Sequence, residues 1–201
     1  MFRYIDVTES QKKILVAALS LLEREGYQSL TVRKICEEAG CALGTFYHSF
    51  KSRDDILSFL ILNEYNRFKE EKKEVLKELG PLEKITELLS DMVLHFTAFG
   101  IGFLEEFFTP KNKTINHSIH GRLDQRYAVV ENIKSELWRA EKAGILKNRE
   151  QPEEIFIDRL YLDIESIFYG VVFNWTINNG MFDIVQVFRR ELGIYLNYYK
   201  G

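Results

Sequence analysis

Proline is scarce in this chain, with 3 among 201 residues. That leaves room for long helices, because an interior proline removes a helical hydrogen bond and clashes with the preceding turn. Hairpin signals are also lacking: Asn178-Asn179-Gly180 falls between two stretches of helical period rather than between alternating strands. Two cysteines, Cys36 and Cys41, are too few for a metal cluster without histidines nearby. They read as buried small thiols rather than as a redox pair or ligands. A run of 18 apolar residues and a signal peptide are both absent, which predicts a cytoplasmic protein with no membrane partner. Neither sign of charge dominates: 27 Lys and Arg face 30 Asp and Glu. Within residues 1–55 the count is 8 against 8, so attraction to a polyanion must come from local placement of cations. A glycine-rich phosphate loop, a nucleophile elbow and a Cys–His pairing are missing, so the chain is not expected to be an enzyme and needs no cofactor. His117 and His120, with Asp124 one turn on, have metal-like spacing but no clear third ligand in a helix, and no metal site is predicted.

What is present is an unbroken succession of amphipathic helices. Thr8 and Gln11 form a T-x-x-Q capping box before an apolar face of Ile14, Ala18, Leu21 and Leu22, and Gly26 reads as a left-handed terminator. Thr31 opens a second helix with Val32, Ile35, Cys36 and Ala39 inward, closed by Gly40. A third covers about 42–49. Ser52 caps a fourth, expected to run from about 53 to 79, whose charged second half, FKEEKKEVLKEL, reads as a solvated connector. Gly80-Pro81 marks a break. Further helices are expected over about 82–99, a short FLEEFF segment, about 122–142, 153–178 and 182–199, with a polar loop over 111–120.

Residues 29–51 read as a helix, a tight turn at Gly40-Cys41 and a short second helix, the arrangement of a helix-turn-helix whose second helix enters the DNA major groove. Thr31 at a helix start offers a hydroxyl and backbone N–H groups to a phosphate. Arg33 and Lys51 are candidate phosphate clamps. Gly44 permits close approach of the backbone to the duplex, and Thr45 can touch a base edge or a thymine methyl. Tyr47 and His48 are spaced to point at backbone or bases, whereas Phe46 and Phe50 read as core.

These residues resemble the TetR family of bacterial transcriptional regulators. The likeness rests on Glu25-Gly26-Tyr27, Leu30 to Arg33, Ile35, Ala39-Gly40, Gly44 to His48 and Phe50 to Ser52, and covers about residues 8–60. It implies an all-α homodimer, with three small DNA-binding helices and a larger helical domain for an effector and for dimerisation. Residues 1–52 would then be the helix-turn-helix domain and 53–201 the regulatory domain, with 53–79 connecting them. The chain departs from the family pattern at Ala42 and Leu43, where a capping hydroxyl and a polar or basic residue are usual.

Aromatic residues make up 13% and crowd after residue 90. Core and dimer packing accounts for most of them. An apolar effector pocket between helices is expected from His95, Phe96, Phe99, Phe103, Phe107, Tyr127, Trp138, Tyr161, Glu165, Phe168 and Tyr169, with Asp163 and Asn174 as further polar groups. The 153–178 helix is apolar on two sides: Ile157, Leu160, Ile164, Phe168, Val172 and Trp175 on one, Leu162, Tyr169, Phe173 and Ile177 on the other. A homodimer interface is expected there and on the last helix, through Ile164, Phe168, Val172, Trp175, Val185, Phe188, Leu192 and Tyr195. The function this predicts is a ligand-responsive repressor that binds a palindromic DNA operator and is released by a small hydrophobic or aromatic effector. The alternative is a helical interaction or metal-binding protein that does not bind DNA.

Overall fold

A computed structural model describes residues 7–109, 124–147 and 152–201 of the chain. Among these residues the protein is all-helical, and the sole extended pairing is a bridge between Leu146 and Lys200. The order is α1 (Glu9–Glu25), a 3-10 turn (Tyr27–Ser29), α2 (Val32–Ala39), α3 (Leu43–Ser49), α4 (Arg53–Glu71), α5 (Lys73–Glu78), α6 (Pro81–Ala98), α7 (Ile101–Phe107), α8 (Asp124–Lys142), α9 (Glu153–Ile177) and α10 (Ile184–Tyr199). By packing, the chain forms two compact units. One comprises Met1–Arg67 with Thr97–Arg126, the other Phe68–Phe96 with Tyr127–Gly201. Among the described residues no helix is long and apolar enough to cross a membrane.

In the first unit, local sequence signals set the helix ends. The Thr8–Gln11 capping box is complete: Gln11 N–H donates to Thr8 Oγ1 at 3.2 Å, and Thr8 N–H donates to Gln11 Oε1 at 3.0 Å. Ile14, Ala18, Leu21 and Leu22 are buried as expected, joined by Leu15 and Ala17. Gly26 ends α1 differently from the expectation. Its φ of 76° is positive, but its ψ of 173° lies outside the left-handed helical well, in a region open essentially to glycine alone. The chain leaves α1 extended and tightens at once into the 3-10 turn. Below α3, Phe46 is fully buried and Phe50 nearly so; Phe50 meets the edge of Phe59 of α4 at 5.1 Å. Ser52 Oγ accepts from Asp55 N–H at 3.3 Å while Asp55 Oδ2 accepts from Lys51 N–H at 2.6 Å, a reciprocal start to α4. The short α7 packs on the 3-10 turn, with Phe103 and Tyr27 edge to face at 5.0 Å.

The second unit has α9 and α10 as its spine. Ile157, Leu160, Ile164, Phe168 and Val172 of α9 are buried, as are Phe188 and Leu192 of α10, with Phe168 against both Phe96 and Phe188. The Asn178-Asn179-Gly180 turn joins the two helices, as the helical periods around it predict, with φ positive at Asn179 and Gly180. The connector expected as one helix over 53–79 breaks at Lys72, which leaves the helical well with ψ of 10°. Nor is that residue merely solvated. Its ammonium lies 2.6 Å from Glu87 Oε1 and 2.7 Å from Asp91 Oδ2 on α6, and Glu87 Oε2 accepts from Arg189 of α10 at 2.6 Å. Arg189 Nε also donates to Ser90 Oγ at 3.1 Å. This half-buried network ties Lys72, at the break, to α6 and α10. Lys147 N–H donates to Tyr199 O at 2.7 Å and Gly201 N–H to Ile145 O at 3.1 Å, pinning residues 199–201 beside the end of α8.

Candidate nucleic-acid interface

The second helix of the helix-turn-helix is positioned by what surrounds it in the chain. Thr31 caps α2 through Oγ1, which accepts from Lys34 N–H at 3.2 Å. Gly40 stops α2 in the left-handed conformation (φ 62°, ψ 37°), its own N–H and that of Cys41 returning to the last turn. Ala42 then precedes α3 in extended conformation with no side-chain hydrogen bond to the helix. Phe46 anchors α3 from beneath, so the opposite face must point outward. Leu43 is 51% exposed and Tyr47 59%, with Gly44 and His48 exposed between them. Spacings of three and four put these four on one stripe. Thr45 is half-buried at its edge, and Thr31, Arg33 and Lys51 are exposed. A Cβ placed on Gly44 would meet nothing within 4 Å, so the bare backbone stands open on that face.

Arg53, which the sequence reading left out, braces the approach to Thr31. Its guanidinium stacks 4.6 Å from the Tyr27 ring centre and donates to Leu30 O at 3.2 Å. A cation two residues beyond Lys51 was the available signal.

Electrostatically the head neutralises itself. Arg33 pairs with Glu37 at 3.1 Å and Lys34 with Glu25 at 2.8 Å, while Arg24 bridges Glu38 at 3.1 Å and Glu25 at 3.2 Å. Hydrogen bonds from Lys34 and Arg24 hold the Glu25 carboxyl below its ordinary range, and Arg24 does the same for Glu38. The equal charge counts of the sequence thus become specific pairs on the surface.

The residues expected to line an effector pocket divide between the two units. Phe99, Phe103 and Phe107 form a row in the first, with neighbouring centroids 4.7 Å and 5.8 Å apart. His95, Phe96, Trp138, Tyr161, Glu165, Phe168 and Tyr169 lie in the second. There Tyr161 donates to Glu165 at 3.0 Å, His95 meets Phe68 edge on at 5.8 Å, and Lys142 lies 5.6 Å from the Trp138 ring. Asp163 accepts from Tyr195 at 2.7 Å, and Asn174 is exposed. The side chain of Tyr127, and His117, His120 and the side chain of Asp124 from the metal alternative, lie outside the described residues. Among the described residues no group of three metal-ligating side chains occurs.

For the expected dimer set, Ile164, Phe168, Val172, Phe188 and Leu192 are buried inside the protomer, and Trp175, Val185 and Tyr195 are half-buried. The outward apolar side chains are others: Ile155, Leu162, Phe173 and Ile177 on α9, Ile194 and Tyr198 on α10, each 45% exposed or more.

Residues 14–58 match the profile described as bacterial regulatory proteins, tetR family. Among characterised sequences, the transcriptional regulator PksA of Bacillus subtilis is 29% identical over 94 residues, 46% of this chain and 46% of that protein. The fatty acid metabolism regulator protein of Bacillus subtilis is 38% identical over 79 residues, 39% of this chain and 41% of that one. The matching part spans about half the length of these curated relatives or less. Among solved structures, Thermus thermophilus FadR, a TetR-family repressor in complex with lauroyl-CoA, has the same fold. Its TM-score is 0.72 at 16% identity, with 92% of this chain and 93% of that chain covered.

Proposed function

We propose, from the premise that the chain belongs to the TetR family of bacterial regulatory proteins, that it is a cytoplasmic, ligand-responsive transcriptional repressor acting as a homodimer on a palindromic operator. The observation that carries this reading is the outward stripe of α3, Leu43, Gly44, Tyr47 and His48, held over a buried Phe46. A seven-residue helix so anchored offers its open face to a major groove. Thr31, Arg33 and Lys51 flank that face as phosphate contacts, with Thr45 at its margin. Two such heads about 34–36 Å apart read half-sites one turn apart. Residues 1–52 serve as the DNA-binding domain and 53–201 as the regulatory one, which begins with α4.

Dimerisation falls to the outer face of α9 and α10. Leu162, Phe173, Ile177, Ile194 and Tyr198 are large apolar groups in water, and pairing two helix hairpins across a two-fold axis covers them in a four-helix interface. An apolar effector acts by preferring the conformation whose heads cannot both engage the operator, and its effect is bounded by its differential affinity. Since the Thermus neighbour is in complex with lauroyl-CoA, acyl-CoA thioesters are the class to try first.

Selection from a random duplex pool at moderate salt tests the core of this reading. An enriched palindrome, bound with an affinity that falls steeply with salt, is expected. A folded protein that enriches nothing, with no salt-dependent retention, would favour a helical interaction module. An acyl-CoA chain-length series added to the operator complex then tests the effector. Release by long chains but not by free coenzyme A is expected, and release by none removes that class.

A further inference from the structure

The two thiols fall where the backbone forces side chains together. Cys41 N–H donates to Cys36 O at 2.9 Å across the left-handed Gly40, which makes Cys36 and Cys41 the two ends of the six-residue motif that closes α2. That motif characteristically brings the side chains of its two end residues into contact. Both are free thiols: Cys36 is buried, and Cys41 is half-buried and reachable from solvent. A disulfide needs Cα atoms within about 7 Å of one another, and the 2.9 Å backbone hydrogen bond holds these two residues close. We propose that Cys36 and Cys41 form a reversible disulfide when the cell meets hydrogen peroxide, making the turn of the helix-turn-helix an oxidation site.

Exposure sets the order of events. Burial, then the neighbouring Cys41, pushes the Cys36 thiol up to about 11, so it is not the first nucleophile. Cys41 as thiolate attacks one peroxide oxygen. An S–O bond forms, the O–O bond breaks, and the departing hydroxide is protonated to water. Cys36 then gives up its proton and attacks the Cys41 sulfur. The S–S bond forms, the S–O bond breaks, and the second oxygen leaves as water. The two sulfurs together lose two electrons, and the peroxide gains them. A cellular thiol reductant restores the pair by exchange, as befits a cytoplasmic protein, in which such bonds are transient. Drawing Cys41 onto α2 shifts the residue next to Ala42, the start of α3, and so lowers operator affinity; this last step rests on the DNA-binding reading.

The test uses the full chain, treated with hydrogen peroxide under native conditions, then alkylated, cleaved by trypsin and weighed. Both cysteines fall between Lys34 and Lys51, in one tryptic peptide. Loss of two hydrogens from that peptide, with no alkylation, is expected, reversed by dithiothreitol. In Cys36→Ala, a dimedone adduct should accumulate on Cys41, whereas in Cys41→Ala the remaining Cys36 should stay reduced. Full alkylation of both thiols after peroxide, or equal dimedone labelling of the two variants, would overturn the proposal. Operator binding is measured on the same samples. At least a tenfold loss on oxidation, absent in Cys41→Ala, supports the switch, and unchanged binding by fully oxidised protein overturns it. A reduced protein that binds no DNA instead refutes the regulator reading, and leaves the mass result to judge the disulfide.

Discussion

Leu43 stands at the head of α3, where, on the proposed DNA-binding reading, an apolar side chain can reward a thymine methyl but not a phosphate. Leu43→Ala is therefore expected to alter base preference at one operator position by about 1 kcal/mol while leaving the salt slope unchanged. Binding measured against single-base operator variants at several salt concentrations checks this, and equal weakening on every sequence would contradict it. Gly26 makes a second residue-scale case. Its φ of 76° with ψ of 173° is closed to a side-chain-bearing residue. Gly26→Ala should cost about 1–3 kcal/mol in urea unfolding even though an added Cβ would touch nothing within 4 Å. The loss would come from backbone strain alone.

Helix boundaries are legible in the sequence wherever the signal is local, as at Thr8 with Gln11, at Gly40 and at Pro81. The break at Lys72 is not, because its partners Glu87 and Asp91 lie 15 and 19 residues away. Nor does the periodicity of α9 say which of its two apolar stripes faces inward; only packing against Phe96 and Phe188 decides that. Five of the eight residues expected at the dimer interface are buried in the protomer for this reason, while the recognition stripe of α3 follows directly from the position of Phe46. The Lys72 network carries its own prediction. A hydrogen bond from Lys72, helped by Arg189 and opposed by burial, holds the Glu87 carboxyl below the ordinary value of 4.5. Its stabilisation is therefore present above that pH and is lost as the pH falls through the depressed value. Glu87→Gln should destabilise the protein by about 1–2 kcal/mol at neutral pH, with the deficit shrinking in acid. Denaturant midpoints across pH read this, and a pH-independent deficit would refute the charge-based account.

At the scale of the whole molecule, the outer apolar face of α9 and α10 should govern assembly. Phe173→Glu combined with Ile194→Glu places charges on that face without touching the buried stripe. A folded monomer in sedimentation is expected, with operator affinity down at least tenfold because the two half-sites are no longer bound together. A persistent dimer would move the interface elsewhere. The self-pairing of charge on the head matters at this scale too. Arg24 and Lys34 are each engaged by a carboxylate of their own chain. On the proposed reading, such a regulator is expected to adhere weakly to the bulk of the chromosome, whose millions of irrelevant sites would otherwise soak up most copies. Few molecules per cell would then suffice to keep an operator occupied. If the chain acts as the proposed repressor, it would search less by sliding along the duplex and more by repeated collision, so the time to re-establish repression after an effector disappears would be set by copy number and diffusion.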